Sequence, residues 1–315
     1  MIWFWILLAA ALLTLAVSLV CFYIVFYAPR RSQKNAPEFD IPHGQIYEPY
    51  RETMVGWMKE VRAMPHEDMT ILSHDGLQLW GRYYEYSPDS PVEIMFHGYR
   101  GSAERDLCGG VQRCFRLGHS ALIVDQRTSG RSQGHVITFG VKEHRDCLAW
   151  AEEAAKRFGP DRKLILTGIS MGASTVLLAA GRELPPGVVG VLADCGYTSA
   201  RAIIQKCTRQ LKLPPRLLYP FVRLGALLFG GFDPDSVSPV EAIKRAKVPV
   251  IFFHGDADDF VPCSMSQENY DACPSPKELV FTPGAGHGLC YLLDRQGYLE
   301  AVRAFGVKHG WYQTT

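Results

Sequence analysis

The residues best suited to do chemistry lie in the segment Gly168-Ile169-Ser170-Met171-Gly172. The apolar run Lys163–Thr167 before it predicts a strand, and the residues that follow predict a helix. A Gly-x-Ser-x-Gly sequence between a strand and a helix is typical of a nucleophile elbow, a strained turn that exposes a serine hydroxyl. We therefore predict Ser170 as a nucleophile. The alternative is a Gly-rich turn that happens to carry a surface serine.

A serine hydroxyl becomes a good nucleophile only when a base removes its proton and a carboxylate orients that base. Two segments downstream of Ser170 can supply these groups, and each follows a predicted strand: residues 254–262, which contain Asp256, Asp258 and Asp259, and the loop around His287. Open α/β sheets bind ligands at the carboxyl ends of their strands, where such loops meet. The sequence thus brings Ser170, a carboxylate near position 258 and His287 to one edge. For His287 the alternative is an ordinary surface-loop histidine.

Two backbone N–H groups are needed to stabilise the oxyanion that such a serine would create. We expect one from Met171, directly after the nucleophile, and the other from Tyr99 in the loop His97-Gly98-Tyr99-Arg100-Gly101. His97 itself is expected to bond loop backbone rather than to act in catalysis.

The segment Asp125–Ser132 follows the next predicted strand and is expected to brace the site through an Asp–Arg pair. Phosphate binding is a weak alternative there, because the chain has no Gly-x-Gly-x-x-Gly and no P-loop motif. The spacing of histidine, cysteine and aspartate also matches no metal site, so we expect neither a metal nor a cofactor.

From Met69 onward, short apolar strands alternate with helices, which predicts a mostly parallel sheet covered by helices on both faces. A hairpin is predicted at the start of this sheet, where His74-Asp75-Gly76 separates two strand-like segments, and it supplies an antiparallel edge. Residues 197–232 interrupt the alternation with an apolar helical insertion. That insertion is predicted to be a small lid over the active site, or equally a covering helix of the sheet.

Taken together, these motifs resemble those of serine hydrolases with the alpha/beta-hydrolase fold, in the prolyl-oligopeptidase-like and serine-aminopeptidase-like branch. The chain is similar to bacterial members that carry an N-terminal membrane anchor. The resemblance covers about residues 69–308 and implies Ser170 as nucleophile, Asp258 as acid and His287 as base. One departure is Thr128-Ser129, which stands where the branch often has Gly or Ala followed by His.

Asp258 is also the middle choice of the three carboxylates in its loop. A residue nearer the strand end is held by the sheet, and a later one is committed to the turn into Val261-Pro262. Asp256 and Asp259 are expected to bond nearby backbone N–H groups, as aspartates do in turns.

An uncharged apolar run of 27 residues, Ile2–Ala28, is long enough to span a bilayer. A signal peptide is the alternative, but the run has neither a basic leader nor a small-residue cleavage site. Tryptophans near one end and tyrosines near the other resemble interfacial aromatic belts. Arg30, Arg31 and Lys34 follow the run, which predicts a catalytic domain on the cytoplasmic side. We also expect that removing residues 1–31 leaves a soluble, active enzyme.

Charge is nearly balanced over the 315 residues, with 33 basic and 32 acidic side chains, so nothing favours nucleic-acid binding. The nine cysteines lack CxxC pairs and are expected to be free thiols in a reducing compartment. The predicted organisation is a transmembrane anchor at residues 2–28, a tether with a short helix at 29–66, and a hydrolase domain at 67–315.

The expected function is hydrolysis of a small ester or acyl substrate by a membrane-anchored enzyme with a Ser170–His287–Asp258 triad. The alternatives are an aminopeptidase-like amidase, a thioesterase or acyltransferase, and a non-catalytic ligand-binding protein on the same fold. The sequence leaves the oligomeric state open.

Overall fold

The computed structural model of the protein describes residues 1–29 and 38–312. Its strands form an eight-stranded sheet in the order β1-β2-β4-β3-β5-β6-β7-β8. Neighbours from β3 to β8 run parallel, whereas β2 pairs antiparallel with both β1 and β4. The mostly parallel sheet with an antiparallel hairpin at its edge is therefore confirmed. The strands are β1 Glu67–Leu72, β2 Gln78–Tyr84, β3 Val92–Phe96, β4 Ser120–Asp125, β5 Leu164–Ile169, β6 Val188–Asp194, β7 Val250–Gly255 and β8 Lys277–Thr282.

Helices cover both faces of this sheet. Successive side chains of a strand point to opposite faces, and here the side chains on both faces are mostly apolar. In β4, Leu122 and Val124 join a cluster with α4 and α5, whereas Ala121 and Ile123 join a second cluster with α2, α3 and α11. The α-helices are α1 Ile2–Val25, α2 Arg51–Ala63, α3 Ala103–Leu117, α4 Glu143–Phe158, α5 Met171–Ala180, α6 Ala200–Gln210, α7 Pro215–Gly225, α8 Pro239–Ala242, α9 Ser264–Ala272, α10 Cys290–Leu293 and α11 Arg295–Lys308.

The segment before the sheet packs closely on it. A 3₁₀ helix, Gln45–Tyr50, leads directly into α2, which lies within the segment 29–66 predicted to be a tether with a short helix. Met54, Met58 and Val61 of α2 are buried in the cluster that contains α3. This part of the predicted tether therefore belongs to the folded core.

Residues 197–232 form α6, α7 and a short π-helix, Ala226–Gly230. They enclose a third apolar cluster, to which the far end of α1 contributes Phe22 and Phe26. Phe26 is completely buried and its ring meets Phe139 and Phe232 edge-on, with centroids 5.8 and 5.2 Å away. Helix α1 is thus fixed to the helical insertion by its last turns.

The remainder of α1 projects away from the protein. It is 24 residues long and apolar enough to cross a membrane, and nearly all side chains before Thr14 are exposed. Arg30, Arg31 and Lys34, which underlie the predicted orientation, lie outside the described residues.

Candidate active site

Ser170 occupies the sharp turn between β5 and α5. Its backbone has φ 57° and ψ −116°, a left-handed conformation that is strained for a residue with a side chain. A Cβ at Gly168 would overlap the backbone of Gly172, and one at Gly172 would overlap the carbonyl oxygen of Phe96. Both glycines are therefore required by the close approach of strand and helix, and the turn presents the Ser170 hydroxyl above the sheet.

Three predicted side chains come together at this edge. The Ser170 Oγ lies 2.9 Å from Nε2 of His287, and Nδ1 of His287 lies 2.7 Å from Oδ2 of Asp258. Asp258 follows β7 and His287 follows β8, so two neighbouring parallel strands deliver them to the same place. All three residues are buried. This arrangement can move a proton from the hydroxyl to the imidazole while the carboxylate fixes the ring.

Asp258 is held by more than His287. Its Oδ1 accepts the backbone N–H groups of Phe260 and Val261 at 2.9 and 2.8 Å, and Nε2 of His254 lies 3.2 Å from its Oδ2. Burial raises the pKa of the Asp258 carboxyl, but the hydrogen bonds from His254 and His287 lower this pKa by more than burial raises it. The pKa of Asp258 therefore lies well below its ordinary value. The carboxylate is therefore charged at neutral pH.

The two neighbouring carboxylates have other surroundings. Asp256 Oδ1 accepts the backbone N–H of Gly284 at 2.6 Å, as expected for a loop-forming aspartate. Asp259 meets its neighbours through its carbonyl oxygen, which accepts hydrogen bonds from Lys206 and Gln210. Neither side chain contacts His287 by hydrogen bond within the described residues.

His287 is also held through its backbone, by a residue that the sequence analysis missed. The hydroxyl of Tyr47 donates a 3.0 Å hydrogen bond to the His287 carbonyl oxygen. Tyr47 lies in the 3₁₀ helix before α2, 240 residues away, and burial raises the pKa of its phenol. No local pattern marks this tyrosine, because its role depends on a contact between distant parts of the chain.

The loop after β3 carries Tyr99, one of the two predicted oxyanion donors, and the other, Met171, begins α5. The N–H of Gly98 donates to Asp106 Oδ2 at 3.0 Å, and a turn closes between Gly101 N–H and the Gly98 carbonyl at 3.1 Å. Within the described chain, the N–H groups of Tyr99 and Met171 have no protein acceptor. Both amides are thus available to a ligand oxygen near Ser170.

His97 ties this loop to the one after β4, in agreement with its predicted structural role. Its Nε2 accepts the Gln126 N–H at 3.0 Å and its Nδ1 bonds the Gly98 carbonyl at 2.7 Å, so the tautomer carries its proton on Nδ1. Gln126 Nε2 in turn donates to the His97 carbonyl at 2.6 Å.

The predicted Asp–Arg brace has different partners from those expected within the Asp125–Ser132 segment. Asp125 accepts the N–H groups of Ala103 and Arg131, at 2.9 and 3.0 Å, and so holds the start of α3. Arg127 instead makes a two-bonded pair with Asp146 of α4, at 2.6 and 2.7 Å, and a second pair with Asp75. The arginine thus reaches partners far along the chain, which the loop sequence alone does not reveal.

Tyr99 and Arg100, in the loop after β3, contact α1 through their side chains. The Tyr99 hydroxyl donates to the Val25 carbonyl at 2.7 Å. Arg100 donates to the carbonyls of Ile24 and Tyr27 at 2.9 and 3.0 Å. The last carbonyls of a helix have no partners within that helix, so these two side chains cap the end of α1.

A cavity of about 690 Å³ opens beside Ser170. Most of its wall is apolar, and part of it comes from the 3₁₀ helix and α2. Among its polar residues is Asp194, whose pKa is raised by burial although the Tyr298 hydroxyl donates to it at 3.1 Å. Apolar side chains along the wall include Ile46, Met54, Trp57, Leu107, Ile169 and Leu292.

Two groups of side chains place possible metal donors within 4.8 Å of one another. The first is Cys195, Asp258 and His287; burial raises the pKa of the Cys195 thiol far above its ordinary value, which keeps it protonated and a poor ligand. The second includes Asp75 and Asp146, which are both already paired with Arg127. All nine cysteines are free thiols in the structure.

No family model matches the chain. It is 27% identical to the uncharacterized protein YqkD of Bacillus subtilis over 295 residues, which are 92% of each chain. The solved structure of the esterase Pf2001 of Pyrococcus furiosus aligns with a TM-score of 0.67 at 21% identity, over 90% of this chain and 98% of that one. The protein has the alpha/beta-hydrolase fold. Est1E of Butyrivibrio proteoclasticus, solved with ferulic acid bound, aligns with this hydrolase fold at a TM-score of 0.59 and 23% identity, over 78% of this chain and all of that one.

These similarities confirm the predicted fold. The prolyl-oligopeptidase-like and serine-aminopeptidase-like branch stays a prediction, as do the roles of the individual residues.

Proposed function

We propose that the protein is a serine hydrolase that cleaves carboxylic esters through an acyl-enzyme. The observation that carries the proposal is the continuous hydrogen-bonded chain from Ser170 through His287 to Asp258, with separations of 2.9 and 2.7 Å. Ser170 lines the cavity, so an ester carbonyl bound there meets the hydroxyl directly. Pf2001 and Est1E, which share the fold, support the same reaction class.

In the first half-reaction, His287 Nε2 takes the hydroxyl proton as the Ser170 oxygen bonds to the carbonyl carbon. The N–H groups of Tyr99 and Met171 donate to the oxyanion that forms. Collapse of this intermediate breaks the bond to the alcohol, which leaves with the proton from His287. Water then attacks the acyl-enzyme in the same way, which releases the acid and restores Ser170.

The carboxylates of the cavity favour an ester over a peptide with a free amino terminus. An aminopeptidase-like enzyme needs carboxylates that grip an α-amino group. Three carboxylates of the described chain line the cavity, those of Asp106, Asp194 and Asp259. Asp106 is already bonded to Arg105 and the Gly98 amide, and Asp194 to Tyr298. Asp259 is left as a single carboxylate, which does not make the paired grip.

Labelling with a fluorophosphonate probe tests whether the protein is a serine enzyme. The wild type should react, and Ser170→Ala should lose both labelling and turnover by several orders of magnitude. Ser174→Ala is the matched control, because Ser174 is a buried serine of α5 whose hydroxyl bonds the backbone of Tyr197. Absence of labelling in the wild type, or more than about a tenth of its activity in Ser170→Ala, would overturn the proposal.

A panel of p-nitrophenyl esters against aminoacyl anilides then separates the reaction classes. We expect turnover of the esters and none of the anilides. Preferential cleavage of the anilides would establish the amidase alternative, and preferential cleavage of acyl thioesters the thioesterase alternative.

Helix α1 serves this enzyme as an uncleaved membrane anchor, with the catalytic domain on the cytoplasmic side. The support is its length, its apolar and exposed surface, and the burial of Phe22 and Phe26 in the folded domain. Cleavage as a signal peptide would remove these two core residues. Resistance to alkaline extraction and intact N-terminal sequence test the anchor. Digestion of the domain by protease added to intact cells would overturn the orientation.

A further inference from the structure

Helices α6 and α7 and the π-helix form a surface, residues 200–230, that we call the cap hairpin. Six basic residues and no acidic residue occur in it: Arg201, Lys206, Arg209, Lys212, Arg216 and Arg223. Charge is nearly balanced in the whole chain, so this segment is unusual. Some of these cations are neutralised locally, since Arg201 pairs with Asp235 and Arg223 with Asp233. Arg209, Lys212 and Arg216 are exposed and have no acidic partner among the described residues.

Exposed apolar side chains are concentrated in the same segment. Of the thirteen large hydrophobic side chains exposed outside residues 1–25 in the described chain, six belong to the cap hairpin: Leu211, Leu213, Leu217, Leu227, Leu228 and Phe229. In α7 and the π-helix, residues 217, 221, 224 and 228 follow a helical spacing on one face, where Leu217 and Leu228 are exposed and Phe221 and Leu224 are half-buried. The opposite face, with Tyr219, Val222 and Ala226, is buried in the third apolar cluster. Helix α7 therefore presents an apolar stripe that the described residues cover only in part.

Helix α1 runs directly beside this surface. Ser18 is completely buried, and its carbonyl is so close to Gly225 that a Cβ there would overlap it. One turn later, the ring of Phe22 packs on that of Phe229, with centroids 5.9 Å apart. The two helices thus meet along the last third of α1.

The length of α1 sets the level at which they meet. A bilayer core about 30 Å thick takes about 20 helical residues, so a span that begins at Ile2 ends near Cys21. Ser18 and Phe22 then lie at the boundary between acyl chains and headgroups. Because Gly225 and Phe229 of the cap hairpin pack on these residues, Leu228 and Phe229 lie at the same boundary.

We propose that the cap hairpin is a second membrane contact, which lies in the interface of an anionic bilayer beside the α1 anchor. Leu217, Leu228 and Phe229 enter the acyl boundary, and Arg209, Lys212 and Arg216 face lipid phosphates. The proposal rests on the proposed anchoring by α1. It assigns a membrane contact to a surface that is otherwise an exposed apolar patch.

Photocrosslinking of the full-length protein in lipid nanodiscs tests this contact. The photoreactive residue p-benzoylphenylalanine replaces one leucine at a time: Leu228 in the cap hairpin, Leu12 in α1, or Leu72 in β1 as the control. Leu72 is the matched control because it is 72% exposed, against 56% for Leu228, so exposure alone would favour labelling at Leu72. Mass spectrometry then measures the fraction of protein crosslinked to phospholipid.

We expect lipid labelling at Leu228 about fivefold or more above that at Leu72, with strong labelling at Leu12. Labelling at Leu12 without labelling at Leu228 would overturn the inference and leave the anchor intact. Background labelling at both positions would overturn the anchor together with the inference. A crosslinked dimer from Leu228 would show that a second copy of the chain covers the surface, and would also overturn it.

The charge requirement is tested by the lipid composition. Phosphatidylglycerol in the discs should raise labelling at Leu228 above that in pure phosphatidylcholine, because it provides the anionic headgroups. The triple change Arg209→Gln, Lys212→Gln and Arg216→Gln should abolish this difference and leave ester hydrolysis of a soluble substrate unchanged. Equal labelling in both lipids by the unaltered cap hairpin would overturn the electrostatic part of the proposal.

Discussion

The hydroxyl of Tyr99 donates a 2.7 Å hydrogen bond to the carbonyl oxygen of Val25, in the last turn of α1. Tyr99 is also the residue whose N–H is proposed to donate to the oxyanion. Its ring packs on Phe139, which in turn meets the buried Phe26. The end of the apolar N-terminal helix therefore supports the loop that carries this proposed oxyanion donor.

Two N-terminal deletions should consequently behave differently. Removal of residues 2–13 takes away exposed side chains only, and it should leave stability and turnover close to those of the full-length protein in detergent. Removal of residues 2–28 also removes Phe22 and Phe26, and loss of a buried phenylalanine typically costs about 3–5 kcal/mol. We expect a large drop in melting temperature and in kcat for the longer deletion, measured by thermal unfolding and ester hydrolysis.

This expectation revises the sequence-based one, in which removing residues 1–31 leaves an active enzyme. Tyr99→Phe in the full-length chain provides the control, because it deletes the hydrogen bond to Val25 and keeps the ring. It should lower kcat several-fold with little change in melting temperature. Full activity and stability after removal of residues 2–28 would show that α1 is only a tether.

The triad carboxylate can be tested within its own loop. Asp258→Asn should lower turnover by about 10⁴-fold, because the amide stabilises the wrong histidine tautomer. Asp256→Asn keeps the oxygen that accepts the Gly284 N–H, and Asp259 acts through its carbonyl, so asparagine at either site should have little effect on kcat. Steady-state ester hydrolysis measures all three variants. A crippled Asp256→Asn or Asp259→Asn beside a mild Asp258→Asn would reassign the acid.

Tyr47 is expected to act as a positioning residue for His287. Tyr47→Phe removes the 3.0 Å hydrogen bond to the His287 carbonyl and should lower kcat about 3- to 10-fold, through a less ordered imidazole. Tyr50→Phe in the same 3₁₀ helix is the control, since its hydroxyl has no partner among the described residues. If both variants changed only the melting temperature and left kcat unaltered, Tyr47 would be a structural residue alone.

The sheet and the meeting of Ser170, Asp258 and His287 were predictable because each depends on a local pattern. An apolar run marks each strand, and in a parallel sheet the loops that follow the strands all lie at the same edge. The glycines around Ser170 likewise report a crowding that is fixed by the turn itself. Local sequence patterns were therefore sufficient to predict that these three side chains meet.

Other parts of the site depend on contacts between distant segments. Tyr47 bonds His287, which is 240 residues away in the chain. Arg127 pairs with Asp146 and Asp75 rather than with a residue of its own loop. The packing of Ser18 against Gly225 also cannot be predicted from the sequence of either segment, because an apolar helix can face lipid, protein or both. Such pairings follow from the folded shape, which composition and spacing do not specify.

The final prediction concerns acid stability and a buried ionic group beneath the site. Glu93 of β3 is completely buried and pairs with Arg113, while His119 and Thr167 lie 2.8 and 2.9 Å from its oxygens. Burial raises the pKa of Glu93, but Arg113 and these hydrogen bonds lower it more, to about 2.

The pKa of Glu93 is depressed in the folded state, so its stabilising effect is complete above the unfolded value of about 4.3. That effect is lost as the pH falls from about 5 towards 2, and it amounts to about 3 kcal/mol. Glu93→Gln should unfold more easily at pH 7, because Arg113 is then buried without its counter-ion. It should also lose less stability on acidification than the wild type.

Urea unfolding between pH 7 and pH 3 measures both effects. Since Glu93→Gln alone could fail to fold, the double change Glu93→Gln with Arg113→Met removes both charges and provides a second variant with the same expected loss of pH dependence. Parallel pH profiles for the wild type and either variant below pH 5 would show that Glu93 keeps an ordinary pKa and that the buried pair does not govern acid unfolding.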